Sequence, residues 1–325
     1  MNTEGIYLCG GSKMFGSGKV VAFLRERLYA RRSLLGFIET QGARFEIFKA
    51  IWVLPRGAHI LFQPSICFPA FLRDVVIVVL MRLRGLDITY ILLVDVVFKN
   101  PLLYIGFFRF LFFGRSMVLG LAAFSQPIAK TCQLPPYFDA VGITRLLTMN
   151  LDGPMAVLHL GYRIDMKGWS DLQTRLRAET RVLRTVAIGG KVTEAESVEA
   201  APIELLPGAS TSEIEASLKM IARECLPIYL FLSREDFAPL MVLEAGYWGV
   251  PIVTIRGIRA HGILARMLPP ECFVVVENFG DIVDCRSDVL RARQSMILYL
   301  EGVGRKNLLD AVSQHLGLRP ECEAN

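Results

Sequence analysis

The chain has 325 residues, 53% hydrophobic and 21% charged, with a net charge of +5 and a mean hydropathy of +0.42. That length suits about two domains of ~150 residues each, and the hydrophobic fraction excludes a disordered chain. A membrane span is excluded by run length: long apolar stretches such as residues 75–81 and 102–108 fall far short of the ~20 a spanning helix needs.

The opening MNTEGIYLCGGSK lacks the basic start and apolar run of a signal peptide. Seven cysteines, at 9, 67, 132, 225, 272, 285 and 322, are odd in number, scattered and free of any CxxC pair. That argues against a disulfide framework or a structural zinc site and for a reduced cytoplasmic setting. Residues 1–145 carry 17 Lys and Arg against 8 Asp and Glu, a net +9; residues 146–325 carry 19 against 23, a net −4. Halves of opposite sign point to two domains with different partners. The basic half also holds most of the long apolar runs, a combination suited to an anionic membrane surface.

In the first half, residues 5–9 read as a strand and 19–32 as an amphipathic helix with four arginines off its apolar face. A helix is expected over 45–54, a strand over 59–63 stopped by Pro64, and a helix over 71–84 ended by Gly85. A buried strand over 88–97, a helix over 102–113 and a strand over 116–121 follow. Residues 150–154 are the best linker, so the domains are expected to be 1–148 and 149–325.

The second half restarts the alternation. Strands are expected over 155–160, 182–188, 203–206, 227–232, 251–255 and 272–276. Helices are expected over 169–180, 213–223, 240–248 and 258–267, with a helical end. Residues 194–202, acidic and rich in small side chains, read as a loop. Such alternation predicts an α/β protein with parallel sheets covered on both faces. Ligands then sit at the carboxyl ends of strands, near helix N-termini.

The segment GGSKMFGSGKVV (10–21) is not a P-loop: Lys13 stands where the first glycine belongs, and Val20 where a hydroxyl should follow the lysine. Gly16 and Gly18 still allow a close backbone approach to a ligand, on the acceptor or donor-sugar side, or they form a plain tight turn. The most informative stretch is SREDFAPLMVLEAGYWGVPIVT (233–254). A strand delivers Glu235 and Asp236, a helix carries Glu244 eight residues after Asp236, and Gly249-Val250-Pro251 opens another strand. Taken singly, Asp236 is also a plausible N-cap and Glu244 a solvated helix residue.

This stretch resembles the retaining nucleotide-sugar glycosyltransferases of the GT-B fold, glycosyltransferase family 4 (glycosyl transferases group 1), whose pattern is an acid, seven residues and a glutamate running into LEA and G-x-P. AVLHLGYRIDMKGWSDL (156–172) is similar to the family's strand–G–R–x4–K–G–helix segment. There Lys167 and Gly168 match by position, and Arg163 stands one residue late, behind Tyr162. LRTVAIGG (183–190) resembles its next glycine-ended strand. In TIRGIRAHGIL (254–264) the usual double glycine is reduced to Gly257 and the usual glutamate is absent, with His261 nearby.

The resemblance implies two Rossmann-like domains facing each other across a cleft. It implies a metal-independent hexosyltransferase of glycan or polysaccharide biosynthesis that uses a nucleotide sugar as substrate and no cofactor. Lys167, Asp236 and Glu244 would be catalytic. The donor would be bound by Gly161, Arg163, Lys167, Gly189, Glu235, Asp236, Phe237, Leu240 and Glu244. Lys167, Arg163 and helix N-termini near Gly168 and Phe237–Leu240 suit a diphosphate, since they supply charge and oriented N–H groups. Glu244 would accept the ribose hydroxyls, and Asp236 or Glu235 those of the sugar. Asp95, at the end of YILLVDVVF, would stand on the acceptor or donor-sugar side. No DxD motif appears to hold a metal, and nothing calls for nucleic acid. The expected acceptor is a sugar or lipid-linked sugar, bound by the basic half at the inner face of a membrane. The alternative is a degenerate sugar-nucleotide-binding partner protein without turnover.

Overall fold

The computed structural model describes residues 5–11, 17–40, 44–64, 70–92, 118–120, 131–133, 146–161, 163–179, 183–189, 202–208, 210–234, 240–303, 312–314 and 316. Two compact units divide the chain: Met1–Tyr137 with Lys306–Asn325, and Phe138–Arg305. The second unit therefore opens ahead of the break expected after residue 148, and the last twenty residues count with the first unit. Residues 150–153 are tied into the second unit. Asn150 accepts from the Gly153 N–H at 2.9 Å, and Arg286 donates to the carbonyls of Leu151 and Gly153.

The first unit runs β1 (Ile6–Gly10), α1 (Ser17–Ala30), β2 (Leu34–Glu39), α2 (Arg44–Val53), β3 (His59–Phe62), α3 (Ala70–Leu83), β4 (Asp87–Leu92), β5 (Val118–Gly120) and β6 (Thr131–Gln133). Its strands form one parallel sheet in the order β2-β1-β3-β4-β5-β6. β2 and β6 have no counterpart in the sequence reading. β2 is a short edge strand, half-buried and with Gly36 inside it, which weakens its signal. Ile47 and Ile51 of α2 and Ile77, Val78 and Met81 of α3 pack with Cys9, Ile60, Phe62 and Tyr90 in one core. The helix read over 102–113 lies outside the described residues.

The second unit runs β7 (Met155–Leu160), α4 (Trp169–Ala178), β8 (Arg184–Ile188), β9 (Glu204–Leu206), α5 (Thr211–Glu224), β10 (Leu226–Leu230), α6 (Leu240–Tyr247), β11 (Ile252–Ile255), α7 (Arg259–Met267), β12 (Val274–Val276) and α8 (Arg286–Val303). Its sheet is also parallel, in the order β12-β11-β10-β7-β8-β9. The strands of MAVLHL and LPIYL are buried along their whole length because both faces are covered. Ala156, Leu158 and Leu160 pack with α5, α6 and α7 on one side, while Met155 and Val157 pack with Leu172 of α4 on the other. This is the period-two division of a pleated strand between two cores.

Counted from β7, the second sheet has the order 3-2-1-4-5-6 of dinucleotide-binding folds. Its strand order reverses between β7 and β10. At such a reversal the connections leave in opposite directions and open a crevice beyond the carboxyl ends of the strands. The loops after β7 and β10 are therefore where a ligand of this unit belongs.

Candidate functional site

Three glycines meet at the carboxyl edge of β7, β8 and β9. Gly161 follows β7, Gly189 follows β8 and Gly208 stands beyond β9. Gly161 donates its N–H to Ile188 O at 2.9 Å, and Gly189 donates to Leu206 O at 3.3 Å. A Cβ on Gly189 would fall 1.9 Å from the Gly161 carbonyl oxygen, and one on Gly208 would fall 2.9 Å from Gly189 N. Glycine at 189 and 208 thus lets these strand ends pack backbone on backbone, while at Gly161, half-buried, nothing lies within 4 Å of where a Cβ would be.

Gly168 fixes the other side of the reversal. Asp165–Lys167 form a single 3-10 turn, and Gly168, at φ 81°, ends it and opens α4. A Cβ there would fall 2.5 Å from both Leu232 Cβ and Leu232 O, so only glycine lets the loop after β7 lie against the chain leaving β10. The joint is reinforced by Arg234, whose guanidinium grips both oxygens of Asp171, in the first turn of α4, at 2.9 and 2.5 Å. A carboxylate in that turn also complements the helix dipole. His159, buried on β7, packs against Trp169 with the rings tilted and their centroids 5.4 Å apart.

The expected residues then fall as follows. Lys167 ends the 3-10 turn, half-buried, next to the amino end of α4. Arg163 donates from its guanidinium to the Gly189 carbonyl, so the loop after β7 is tied across to the end of β8. Its register, one residue late, places that cation on the glycine edge itself. Glu244 lies in the middle of α6 and is 7% exposed, within a helix whose Val242, Leu243 and Ala245 are also buried. Leu240 is the first residue of α6. Glu235, Asp236, Phe237, Tyr162, Gly16 and Asp95 lie outside the described residues. Gly18 belongs to the first turn of α1, in the other unit.

Burying a carboxylate is costly unless it is partnered, and Glu244 is the buried acid among the described residues of this unit. Two polar groups are buried at the exit of β10. Ser233 is buried, and Thr254, fully buried on β11, donates to the Phe231 carbonyl at 2.9 Å. His261 lies in α7, half-buried, edge-on to Phe273 at 6.5 Å. Gly257, at φ 78°, turns the chain from β11 into α7 with nothing within 4 Å of where a Cβ would be.

Sequence reasoning missed Gly208, Asp171 and Arg234. The Pro207-Gly208 pair signals a turn, and Arg234 sits within the segment singled out, but their partners lie 19 to 63 residues away. Among the described residues no three His, Cys, Asp or Glu side chains converge as a metal site would require.

No family model matches the sequence, and no curated protein matches it. Solved structures do. The lipopolysaccharide outer core galactosyltransferase WaaB, in its apo form, is 13% identical with a TM-score of 0.61 over 96% of this chain and 98% of its own. A glycosyltransferase from Rickettsia africae is 10% identical with a TM-score of 0.61 over 96% of this chain and 98% of its own. The pneumococcal O-GlcNAc transferase GtfA, in complex with UDP and GlcNAc, is 13% identical with a TM-score of 0.55 over 83% of this chain. This chain spans only 58% of that structure. These likenesses and the two parallel sheets show the fold: α/β, of the GT-B kind, with two Rossmann-like units.

Proposed function

We propose that the protein is a retaining, metal-independent glycosyltransferase of the hexosyl type, related to family 4. It moves a sugar from a nucleotide sugar to a sugar or lipid-linked acceptor in glycan or polysaccharide synthesis. The observation that carries this reading is the carboxyl edge of the second sheet. There the strand reversal sets the glycine trio, Arg163, Lys167 and the amino end of α4 beside the chain leading to Glu244. A diphosphate fits such an edge, because it asks for bare backbone, cations and a helix N-terminus together.

In this reading Lys167 and α4 stabilise the negative charge that grows on the diphosphate as the glycosidic bond breaks. Glu244 accepts the ribose hydroxyls, and Asp236 or Glu235 holds the sugar. The departing phosphate takes the acceptor's proton on the same face, so the anomeric configuration is kept and no protein nucleophile is needed. The first unit receives the acceptor. UDP is the first nucleotide to try, since the GtfA structure holds it.

Thermal shift against UDP, GDP and ADP tests the reading. A nucleotide at 100 times its dissociation constant adds ~2.7 kcal/mol, which raises Tm by about 5–10 °C for a unit of this size. Glu244→Gln should weaken the affinity about tenfold or more, because a hydrogen bond to a charged group is worth ~1.5–3 kcal/mol, so at the same nucleotide concentration the shift falls to about half or less. No response to any of the three nucleotides overturns it. Product anomer analysis decides retention.

One observation favours a second reading, a degenerate binding partner: the Arg163 guanidinium is engaged on the Gly189 carbonyl, with Tyr162 in the position of the family's arginine. Nucleotide binding without hydrolysis or transfer from any sugar nucleotide would favour that reading.

A further inference from the structure

The helices α2 and α3 pack into one core on the same side of the first sheet; α3 is apolar along the stripe turned away from it, and the same side of α2 mixes Phe45, Trp52 and Val53 with Glu46 and Lys49. On α3, Asp74, Ile77, Val78 and Met81 are buried, while Leu72, Val76, Val79 and Leu83 are exposed. At 100° per residue the four exposed positions fall within about 60° of one another, opposite the buried ones. On α2, Ile47 and Ile51 are buried and Phe45, Trp52 and Val53 are exposed, Phe45 at 85% and Trp52 at 59%. A helix with an apolar stripe outside as well as on its core face belongs in a core or against lipid, yet α3 has only 14 residues and cannot span a bilayer.

The two stripes join at one end. The Arg84 guanidinium lies 5.2 Å above the Trp52 ring and donates to Leu54 O at 2.9 Å, which ties the end of α3 to the end of α2. The surroundings are cationic. Residues 44–84 hold six Lys and Arg against two Asp and Glu, and one of those acids, Asp74, is buried on Arg73 at 2.7 Å. Lys49, Arg56 and Arg82 are exposed around the stripes.

We infer that this face, Phe45, Trp52 and Val53 of α2 with the outer stripe of α3, is where the protein docks on an anionic lipid bilayer. It gives a location to the membrane element of the proposed function and rests on that reading only for the idea of a lipid-linked acceptor. Charge decides the occupant. Anionic headgroups complement Lys49, Arg56, Arg82 and Arg84, while the aliphatic stripe and the indole sit at the headgroup boundary. A second copy of the chain docked face to face would set the same cations against each other, which costs affinity. The helices lie along the surface without crossing it.

The test is sedimentation of the full chain with vesicles of equal parts phosphatidylglycerol and phosphatidylcholine, against phosphatidylcholine alone, at low salt. Binding to the anionic vesicles only is expected, weakening as salt rises. Val76→Ser/Leu83→Ser should reduce the partition coefficient at least about tenfold, since two exposed apolar side chains are withdrawn from lipid. Lys49→Glu/Arg56→Glu should reduce it comparably. Leu298→Ser, which removes an exposed leucine of α8, should leave it unchanged. Unaltered circular dichroism and Tm show that each variant folds. Absence of binding to anionic vesicles, or binding that the stripe variants leave intact, overturns the inference. A chain that is dimeric without lipid and becomes monomeric on Val76→Ser/Leu83→Ser also overturns it, by assigning the face to self-association. The nucleotide thermal shift, run on the same variants, should persist, so failure of docking and failure of the glycosyltransferase reading are read separately.

Discussion

Replacing Gly168 by alanine probes the joint between the loop after β7 and the exit of β10. Two costs act there. Alanine at φ 81° is held in the left-handed region, at ~1–2 kcal/mol. Its Cβ also meets Leu232 Cβ and the Leu232 carbonyl oxygen at 2.5 Å, and because one contact is backbone the loop itself must shift, at ~1–3 kcal/mol more. Gly257 separates the two, since it has nearly the same φ, 78°, and nothing within 4 Å. Gly257→Ala should therefore lower Tm by about 2–8 °C, and Gly168→Ala by about 4–20 °C, with the difference between them reporting the contact. Differential scanning calorimetry on both variants and the parent measures this. Gly168→Ala should also blunt the nucleotide thermal shift, which Gly257→Ala lowers less. Equal Tm losses for the two variants would refute the claim that Gly168 is needed for close approach to β10.

Other perturbations read other parts of the second unit. Trp248 is fully buried, and its indole nitrogen has no hydrogen-bond partner among the described residues. Trp248→Ala should cost ~3–5 kcal/mol, and Trp248→Phe clearly less, because it fills most of the space and removes the unsatisfied donor; urea unfolding compares them. Ser210 caps α5 by accepting from the Glu213 N–H at 3.2 Å, so Ser210→Ala should cost ~1 kcal/mol in the same assay. Burial, with Glu271 beside one and Asp288 beside the other, pushes the Cys272 and Cys285 thiols up to about 11 each. Their raised folded-state values mean that the associated stability is whole below the ordinary thiol value of ~8.5 and is lost as pH rises towards 11. Tm should therefore fall more steeply between those limits in the parent than in Cys272→Ala/Cys285→Ala; parallel slopes would show that the thiols do not contribute.

The strands and helices of the second half were legible because their signals are local. MAVLHL, RTVAI and LPIYL are mostly apolar, and Gly153-Pro154, Gly161 and Gly189-Gly190 bound the first two. The loop glycines 161, 168, 189 and 257 were legible for the same reason. Less local elements were not. β2 is a half-buried edge with a glycine inside it, and β6 has only three residues, so neither carries a long apolar run. In the site, Arg234 and Asp171 are 63 residues apart, and neither carries a sign of the other.

By itself the sequence determined the alternation of elements, the two-unit plan and the carboxylate-bearing helix, since period and composition act over a few residues. The tertiary structure decided what adjacency alone can decide. The sheet order 3-2-1-4-5-6 put β7 against β10, so two loops some seventy residues apart share one edge. It set Gly189 where a Cβ would strike the Gly161 carbonyl, drew Arg163 onto Gly189 and enclosed Glu244. The reason is the same throughout: chain connectivity writes local periodicity into the sequence, whereas contacts between distant strands exist only once the sheets have formed.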